Sequence, residues 1–507
     1  MRDIAENLRA RQVLDLLPPW LRGPLAAVQA EQGGELYLAG GVVRDLLLGQ
    51  IPADIDLTVA AGARIWAARL AALTGGALVP LGRKEDAARV VSRGVTVDFS
   101  SFREGTHTIA GDLVRRDLTV NALACRIDHI FVRPRPNNDA GMPLIDPTGG
   151  RSDLMAGLIR AASVESFISD PLRLVRVFRF AATLGFAVEA ATLSLVQRQG
   201  SLVRAVAPER IAHELDLIMA VMTPHAVVGL MAECDLLWSL IPELAAGIGM
   251  AQPKSHHLDV WGHNLETLRQ MERILAAPGV FFPGSGAAMQ AAAETVQRQV
   301  QLKWSALLHD LGKPATHALR ADKGGRITFY NHDQAGARIF DSLALRLRWS
   351  NEARERVGCL IAGHMRPFHL ANVARTGNLT LRAAIRMIRA AGDDLEGLFL
   401  LAMADSLAGR GVERIEGMEE ELAGLYCHLE RIRAEHVAPV QSAPPLVTGR
   451  DLIDKLHLSP GPVFKRILAA VEEARMAGEV SDAEAALRLA QTMAASDTGA
   501  AGTNPRG

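Results

Sequence analysis

The run LAGGVVRDLLLGQIPADIDLTV (residues 38–59) constrains this chain more than any other stretch. A strand-like segment runs into Gly40-Gly41. A helix-period stretch with Arg44 follows, and a short loop leads to a second strand carrying Asp54-x-Asp56. Side chains alternate along a strand, so the two carboxylates point to one face. Such a pair seats Mg²⁺, which takes oxygen ligands and keeps substrate phosphates in its shell. Two ions about 4 Å apart can activate an attacking hydroxyl and stabilise a leaving pyrophosphate. The glycines remove side chains just before a helix N-terminus, which lets backbone N–H groups approach phosphate. Alone, a DxD pair is usually surface decoration and a Gly pair a plain turn. The full order carries the chemistry.

The surroundings fit this reading. ELYLAG, DIDLTVA, GALVP, ARVVS and VTVDFSSF read as short strands, with VVRDLLLG and ARIWAARLAAL as helices. The expected fold is an α/β head with a small mixed sheet and helices, followed by a long all-α body. The expected boundaries are an N-terminal helical extension (1–35, broken at Pro18-Pro19), the head (36–150), a helical domain (151–245) and a His-bearing helical domain (246–435). A small helical module (446–492) and a disordered tail (493–507) follow. APGVFFPGSG (277–286) reads as a loop and PVQSAPP (439–445) as a linker.

Composition narrows the function. The 507 residues are too many for one ordinary domain, and the net charge of −1 excludes a bulk electrostatic sponge for nucleic acid. RNA contact must come from a local basic surface. The four cysteines form no CxxC pair, and the charged N-terminus is no signal peptide. No apolar run of about 18 residues occurs, so no membrane span is expected. The expectation is a soluble, cytoplasmic protein; nothing in the sequence fixes an oligomeric state.

A third carboxylate would complete the DxD site. Asp98 lies on a candidate neighbouring strand and is preferred; Asp112 is the competitor. In DLVRRDLTVNALA (112–124), Arg115 and Arg116 offer cationic forks for triphosphate oxygens. Asp117 reads as the N-cap of a following helix, with Asn121 one turn on.

Together these motifs resemble the class II tRNA nucleotidyltransferase and bacterial poly(A) polymerase family. The matching stretches are Gly40-Gly41-x-x-Arg44-Asp45, Asp54-x-Asp56, Arg115-Arg116-Asp117 with Asn121, SDPLRLVRVFRFAATLGF (169–186) and PER (208–210). The resemblance implies untemplated transfer of CMP, AMP or both from CTP and ATP to the 3′ end of tRNA, as synthesis or repair of the CCA end or of its CC part alone, with Mg²⁺. It implies a nucleotidyltransferase head at 36–150 and nucleotide selection and RNA binding at 151–245. Asp98 joins Asp54 and Asp56 as the catalytic carboxylates. Nucleotide contacts then fall to Gly40, Gly41, Arg44, Asp112, Arg115, Arg116 and Asn121, and to Asp170, Arg173, Arg176 and Arg179. Asp170 and Arg173, three apart on a helix, share a face. A carboxylate accepts the amino group that C and A share, and a guanidinium donates to the adjacent ring atom. Ser169 stands where the family usually has an acid. Only EGTHTIAG (104–111) separates Arg103 from Asp112, where complete CCA-adding members carry a long flexible segment. That shortening marks enzymes that add only CC.

A second constellation comprises SHHLDVWGHNLETL (255–268), WSALLHDLGKP (304–314), TFYNHDQAGARI (328–339), AGHMRP (362–367) and LAMADSLAGRG (400–411). Imidazoles mixed with carboxylates suit Mn, Ni, Co, Fe or Zn better than Mg. This text resembles the HD metal phosphohydrolases. The resemblance implies His263, His309, Asp310 and Asp405 as metal ligands, His332 and His364 for a second metal or a phosphate, and Lys313 as a substrate contact. The tail module, with Gly449-Arg450-Asp451 and Pro460-Gly461-Pro462, resembles the family's small C-terminal domain and is assigned to gripping tRNA. Two other functions fit parts of the text: a poly(A) polymerase of the same family, and an HD phosphohydrolase whose N-terminal half only binds RNA.

Overall fold

The computed structural model describes residues 4–82, 85–103, 105–132, 141–323 and 325–500. It divides into two compact units, Met1–Pro242 and Glu243–Gly507.

The first unit is built on one sheet. Its strands are β1 (Asn7–Arg9), β2 (Leu36–Ala39), β3 (Ile55–Val59), β4 (Ala77–Pro80), β5 (Ala87–Ser92), β6 (Val95–Ser101), β7 (Ala124–Arg126) and β8 (Gly141–Ile145). The spatial order is β1-β8-β7-β2-β3-β6-β5-β4. β3 and β6 run parallel, and every other pairing is antiparallel. The five strands expected from sequence are present. β7 and β8 were not expected, being short and ending close to loops.

The N-terminal segment is not a separate helical extension. Asn7–Arg9 pairs with β8, and the helices Ala10–Leu16 and Pro19–Gln32 bury Leu8, Val13, Leu17, Leu21 and Leu25 completely or nearly so. The break at Pro18-Pro19 holds, because Pro19 opens the second helix where a missing N–H costs nothing. After the sheet the first unit is helical. Helix Arg173–Leu184 packs against helix Pro208–Ala220.

The second unit is a bundle around helix Leu395–Ala408, which is apolar on every side and buried along nearly its whole length. Three segments differ from the reading above. Residues 277–286 hold the short helix Pro278–Phe281 and the start of Gly286–Ala292. Helix Ala438–Gln441 occupies part of the expected linker. The expected disordered tail is helical up to Ala500, extending the Ala-rich helix Ala483–Ala500; residues 501–507 lie outside the described residues. The C-terminal module has its own core of Val447, Leu452, Ile467, Val471 and their neighbours.

Two candidate functional sites

Asp54 stands at the entry to β3 and Asp56 inside it, and both line one cavity of about 580 Å³. Gly40, Gly41, Arg44, Arg116, Asn121, Asp170, Arg173, Arg176 and Arg179 line the same cavity. Gly40 has φ +92°, and a Cβ there would fall 2.5 Å from Arg116 Nη1. The room that Gly40 leaves is thus taken by a guanidinium.

Asp112 and Arg115, expected at this site, stand outside the cavity, and Asp98 is held by an arginine beside it. Asp98 lies beside Asp56 in the β3–β6 register, close enough to raise the Asp56 carboxyl. Arg89, opposite it on β5, grips Asp98 with two 2.8 Å hydrogen bonds and reaches within 3.9 Å of Asp54. Asp112 is fully buried beneath Arg103 (2.8 Å) and Arg116 (3.4 Å), so it anchors arginines and does not face a nucleotide. Arg115 lines a neighbouring groove with Ser163, Ser169 and Arg210, while Arg116 alone of the pair lines the cavity.

Asp117 is not a helix N-cap. The chain makes only the 3₁₀ turn Thr119–Asn121, capped at Leu118. Asp117 is instead a buried hub that takes Arg176 at 2.7 Å and the Asn121 amide at 3.2 Å. Asn121 in turn accepts from Arg44 at 2.5 Å. Against the cost of burial, Arg176 and the other donors hold the Asp117 carboxyl well below the usual carboxylate range. Asp56 goes the other way. Burial first, then Asp98 and Asp54, push it up to about 6 against the pull of Arg116.

Nor do Asp170 and Arg173 share a helix face. The helix begins at Arg173, and Asp170 is extended at φ −145°, ψ 95°. The reason is Pro171, which keeps its predecessor out of the helical region. Asp170 Oδ2 pairs with Arg210 at 3.0 Å. Arg173 donates to the carbonyls of Arg115 (2.9 Å) and Ser166 (3.1 Å).

Sequence reasoning missed Phe180, Arg210 and Glu214. Arg179 lies 3.7 Å over the Phe180 ring, with Arg44 and Arg176 at 5.0 and 5.2 Å. Buried Glu214 holds Arg176 at 3.4 Å and Arg179 at 3.0 Å. Its signal was available: an acid on the apolar face shared by Ile211, Leu215 and Ile218 requires a cation. Carboxylate oxygens on one side and guanidinium groups on the other suit Mg²⁺ and a polyphosphate.

The second site draws on five helices. His263 comes from Val260–Ala276, His309 from the end of Val296–Leu308, and His332 opens His332–Arg346. His364 caps Asn351–Gly363, and Asp405 lies on the apolar helix Leu395–Ala408. All are buried except Asp405, which is partly exposed. Gly312 brings the HD turn onto the next helix, since a Cβ there would lie 1.9 Å from the His332 carbonyl oxygen.

Nδ1–H of His309, His332 and His364 donates to the carbonyl three residues back, at 3.0, 2.8 and 2.7 Å. Each Nε2 is left facing the cluster. His332 and His364 bring these atoms to 3.0 Å from each other. Asp310 sits between, with one oxygen 3.2 Å from His309 Nε2 and 2.5 Å from Lys313 Nζ, and the other 3.3 Å from His332. His263 Nε2 lies 3.0 Å from Asp405. Among the described residues, His263 Nδ1, His309 Nε2 and both Asp310 oxygens are buried without a hydrogen-bond partner. Opposed lone pairs and orphaned buried acceptors are what a bound cation satisfies, so the donor set fits a divalent metal. Despite burial, His309 and Lys313 hold Asp310 well below the usual carboxylate range, whereas burial pushes His364 down to about 3.

His256 also belongs here and had been given no role. It precedes the His263 helix, with its ring centroid 4.7 Å from that of His263, and burial pushes it down to about 3.

Comparison with known proteins agrees with both centres. A model of the poly A polymerase head domain matches residues 36–160, one of the probable RNA- and SrmB-binding site of polymerase A matches 185–248, and one of the HD domain matches 260–409. The A-adding tRNA nucleotidyltransferase of Deinococcus radiodurans is 32% identical over 470 residues, 90% of this chain and 95% of that protein. The CC-adding tRNA nucleotidyltransferase of Thermus thermophilus is 30% identical over 459 residues, 89% and 92% respectively. The Thermotoga maritima CCA-adding enzyme, solved with tRNA, shares the fold at TM-score 0.60 and 20% identity, over 98% of this chain and 100% of that one.

Proposed function

The chain belongs to the tRNA nucleotidyltransferase and poly(A) polymerase family, and from that premise we propose that it adds CMP or AMP from CTP or ATP to the 3′ end of tRNA. The observation that carries this is the cavity in which Asp54 and Asp56 face Arg116, Arg176 and Arg179. The head and the HD centre both take divalent metals. In the head, Asp54 and Asp56 would hold Mg²⁺, which when bound supplies Lewis acidity toward the acceptor hydroxyl and the triphosphate. The protein's own part is positional. Arg116 and Arg44 bind phosphate oxygens, held in place by Asp112 and Asn121. Asp170 and Arg173, braced by Arg210 and two carbonyls, read the base edge. Asp98, beside Asp56 in the register and gripped by Arg89, is the third carboxylate of the catalytic set.

The base added is set by the short connection before Asp112. Helix Ile109–Val114 starts within it, capped by Thr108, so no long flexible element fits between Arg103 and Asp112. This favours addition of C alone. The similarity to an A-adding enzyme over nearly its whole length favours a second reading, addition of the terminal A. One extension assay separates them: tRNA ending at the discriminator base, and tRNA already ending in CC, each with CTP, ATP or both. The proposal expects two C residues on the first substrate and nothing on the second. An A on the second substrate selects the other reading, and a full CCA refutes both. Long A tracts on unrelated RNA would make the chain a poly(A) polymerase.

The HD centre would hold a transition metal on His263, His309, Asp310 and Asp405, with His332 and His364 for a second ion or a phosphate. Its reaction is hydrolysis of a phosphoester, with Lys313 Nζ, already hydrogen-bonded to Gln252 at 2.6 Å, close to substrate oxygen. His309→Ala should abolish phosphohydrolysis and spare nucleotide addition. The C-terminal module, whose helix Gly449–Asp454 is capped by Thr448 in a reciprocal box with Asp451, is assigned to gripping tRNA. Among the described residues, no helix is long and apolar enough to cross a membrane.

A further inference from the structure

His256 lies seven positions before His263, outside the helix that carries it, in the loop leading to Asp259. Loops of this kind are usually free to wander; this one is stapled in three places. Gly411 N donates to the Ser255 carbonyl at 2.9 Å and Glu413 N to the Lys254 carbonyl at 3.1 Å. Those donors follow the helix that bears Asp405, so the staple ties His256 to the element holding one of the carboxylates. The third tie is Gln252 Oε1, which accepts from Lys313 Nζ at 2.6 Å while that ammonium sits 2.5 Å from Asp310.

The imidazole itself is oriented. Ser255 Oγ engages Nδ1 at 3.1 Å, which leaves Nε2 as its ligating pole. The ring meets that of His263 edge-on, with centroids 4.7 Å apart. Donor atoms of His256, His263 and Asp405 all lie within 4.8 Å of one another, near enough for one ion to draw them together. Two imidazoles and a carboxylate form a three-donor set of the kind found in open metal sites. Asp405 has two oxygens. His309, His364 and Asp405 also lie within mutual reach, so Asp405 can serve two positions at once.

We propose that His256 is a metal ligand, holding with His263 and Asp405 a divalent ion position at the loop end of the HD centre. A neutral His263 has one lone pair to give, so this ion takes His263 to itself, while His309, Asp310, His332, His364 and the other Asp405 oxygen hold the rest of the centre. This rests on reading the HD centre as a metal site, and the experiment separates the two claims.

Full-length protein, stripped with a chelator and reloaded with Co²⁺ or Ni²⁺, is desalted and its metal counted per chain by mass spectrometry. The cobalt d–d spectrum is recorded alongside. Wild type is compared with His256→Ala, His256→Asp and His257→Ala. The last is the adjacent histidine, whose Nδ1 accepts the backbone N–H of Arg410. The expected result is loss of one ion equivalent and a changed visible spectrum in His256→Ala, recovery in His256→Asp, and no change in His257→Ala. Equal metal content in wild type and His256→Ala overturns the role of His256 while leaving the HD centre a metal site. Loss in both alanine variants overturns ligation too, because it assigns the effect to the loop. A wild-type chain that retains no transition metal overturns both claims. The calorimetric transition of Glu243–Gly507 in the same preparations reports that each variant is folded.

Discussion

Asp56 and Asp310 each sit at the middle of a polar cluster, but their neighbours differ. Around Asp56 the protein supplies its own cations. Arg116 faces it, Arg89 neutralises Asp98, and Asp117 and Glu214 are matched to arginines. The cavity is open to solvent and its charges are balanced before any ligand arrives. Around Asp310 the neighbours are imidazoles, three of whose outer nitrogens are committed to backbone carbonyls, and the inner nitrogens are turned on one another and on carboxylates. The first cluster is arranged for a ligand that comes and goes with its own metal and phosphates. The second is incomplete without a resident ion. An arginine-rich wall marks transient polyanion binding, and a buried imidazole–carboxylate core marks permanent metal.

The sharpest way to break this contrast is to remove one member from each side. Asp56→Ala should lower nucleotide addition by about 10³-fold or more, since it removes a metal-facing carboxylate worth several kcal/mol of transition-state stabilisation. HD metal content should not move, and thermal stability should not fall, since the buried Asp56 charge costs stability at neutral pH. A matching loss of stability in Asp56→Ala would mean that the head, too, depends on a resident ion.

Chelation should have the complementary effect. An ion that binds only the folded state adds about 4 kcal/mol at a thousandfold excess over its Kd. Prolonged treatment with a chelator should therefore lower the melting temperature of Glu243–Gly507 by roughly 10 °C and leave the transition of Met1–Pro242 in place. Calorimetry resolving two transitions checks it. Equal shifts in both would erase the distinction.

Asp117→Ala tests whether the head's charges are balanced internally. It leaves Arg176 facing only Glu214 at 3.4 Å, in a buried setting. The expected cost is about 3 kcal/mol of stability in the first unit, with weaker nucleotide binding, read by urea unfolding and by KM.

These outcomes bear on what the sequence made legible. The DxD strand and the HD turn were readable because their spacing is local: period two on a strand, adjacency at a helix end. Asp170 was misplaced onto a helix although Pro171 forbids it, a local signal passed over. Glu214 was equally visible as an acid in an apolar stripe. The pairing of Asn7–Arg9 with Gly141–Pro143 was beyond reach, since nothing in two three-residue segments so far apart specifies their register. The divergence of Arg115 from Arg116 was also beyond reach, because it depends on where the chain turns after helix Ile109–Val114.

A smaller effect follows from the raised carboxyl of Asp56. Its folded value near 6 lies above the usual carboxylate range, so its charge costs stability above pH 6 and that cost disappears as the group protonates below it. Mg²⁺ competes with that proton. Apparent Mg²⁺ affinity in the head should therefore be level above pH 6 and fall by up to about tenfold per pH unit beneath it, measured by calorimetric titration. An affinity independent of pH down to 5 would show that Asp56 is already ionised in the free protein.

The finest test concerns Arg89. Its bidentate grip on Asp98 keeps a third carboxylate from the metal-facing pair, and its 3.9 Å approach weakly compensates Asp54 as well. Arg89→Gln releases one negative charge beside Asp56 and removes one positive charge near Asp54. Both changes favour a bound dication. Arg89 is about 38% exposed, so solvent screens the effect and the gain in Mg²⁺ affinity should be only a few-fold. Asp98→Asn in the same background should cancel that gain, because the freed carboxylate is its source. An Arg89→Gln chain that binds Mg²⁺ more weakly would mean that the guanidinium shapes the site and does not merely neutralise it, and the head would then resemble the HD centre in needing an ordered cation to hold its carboxylates in place.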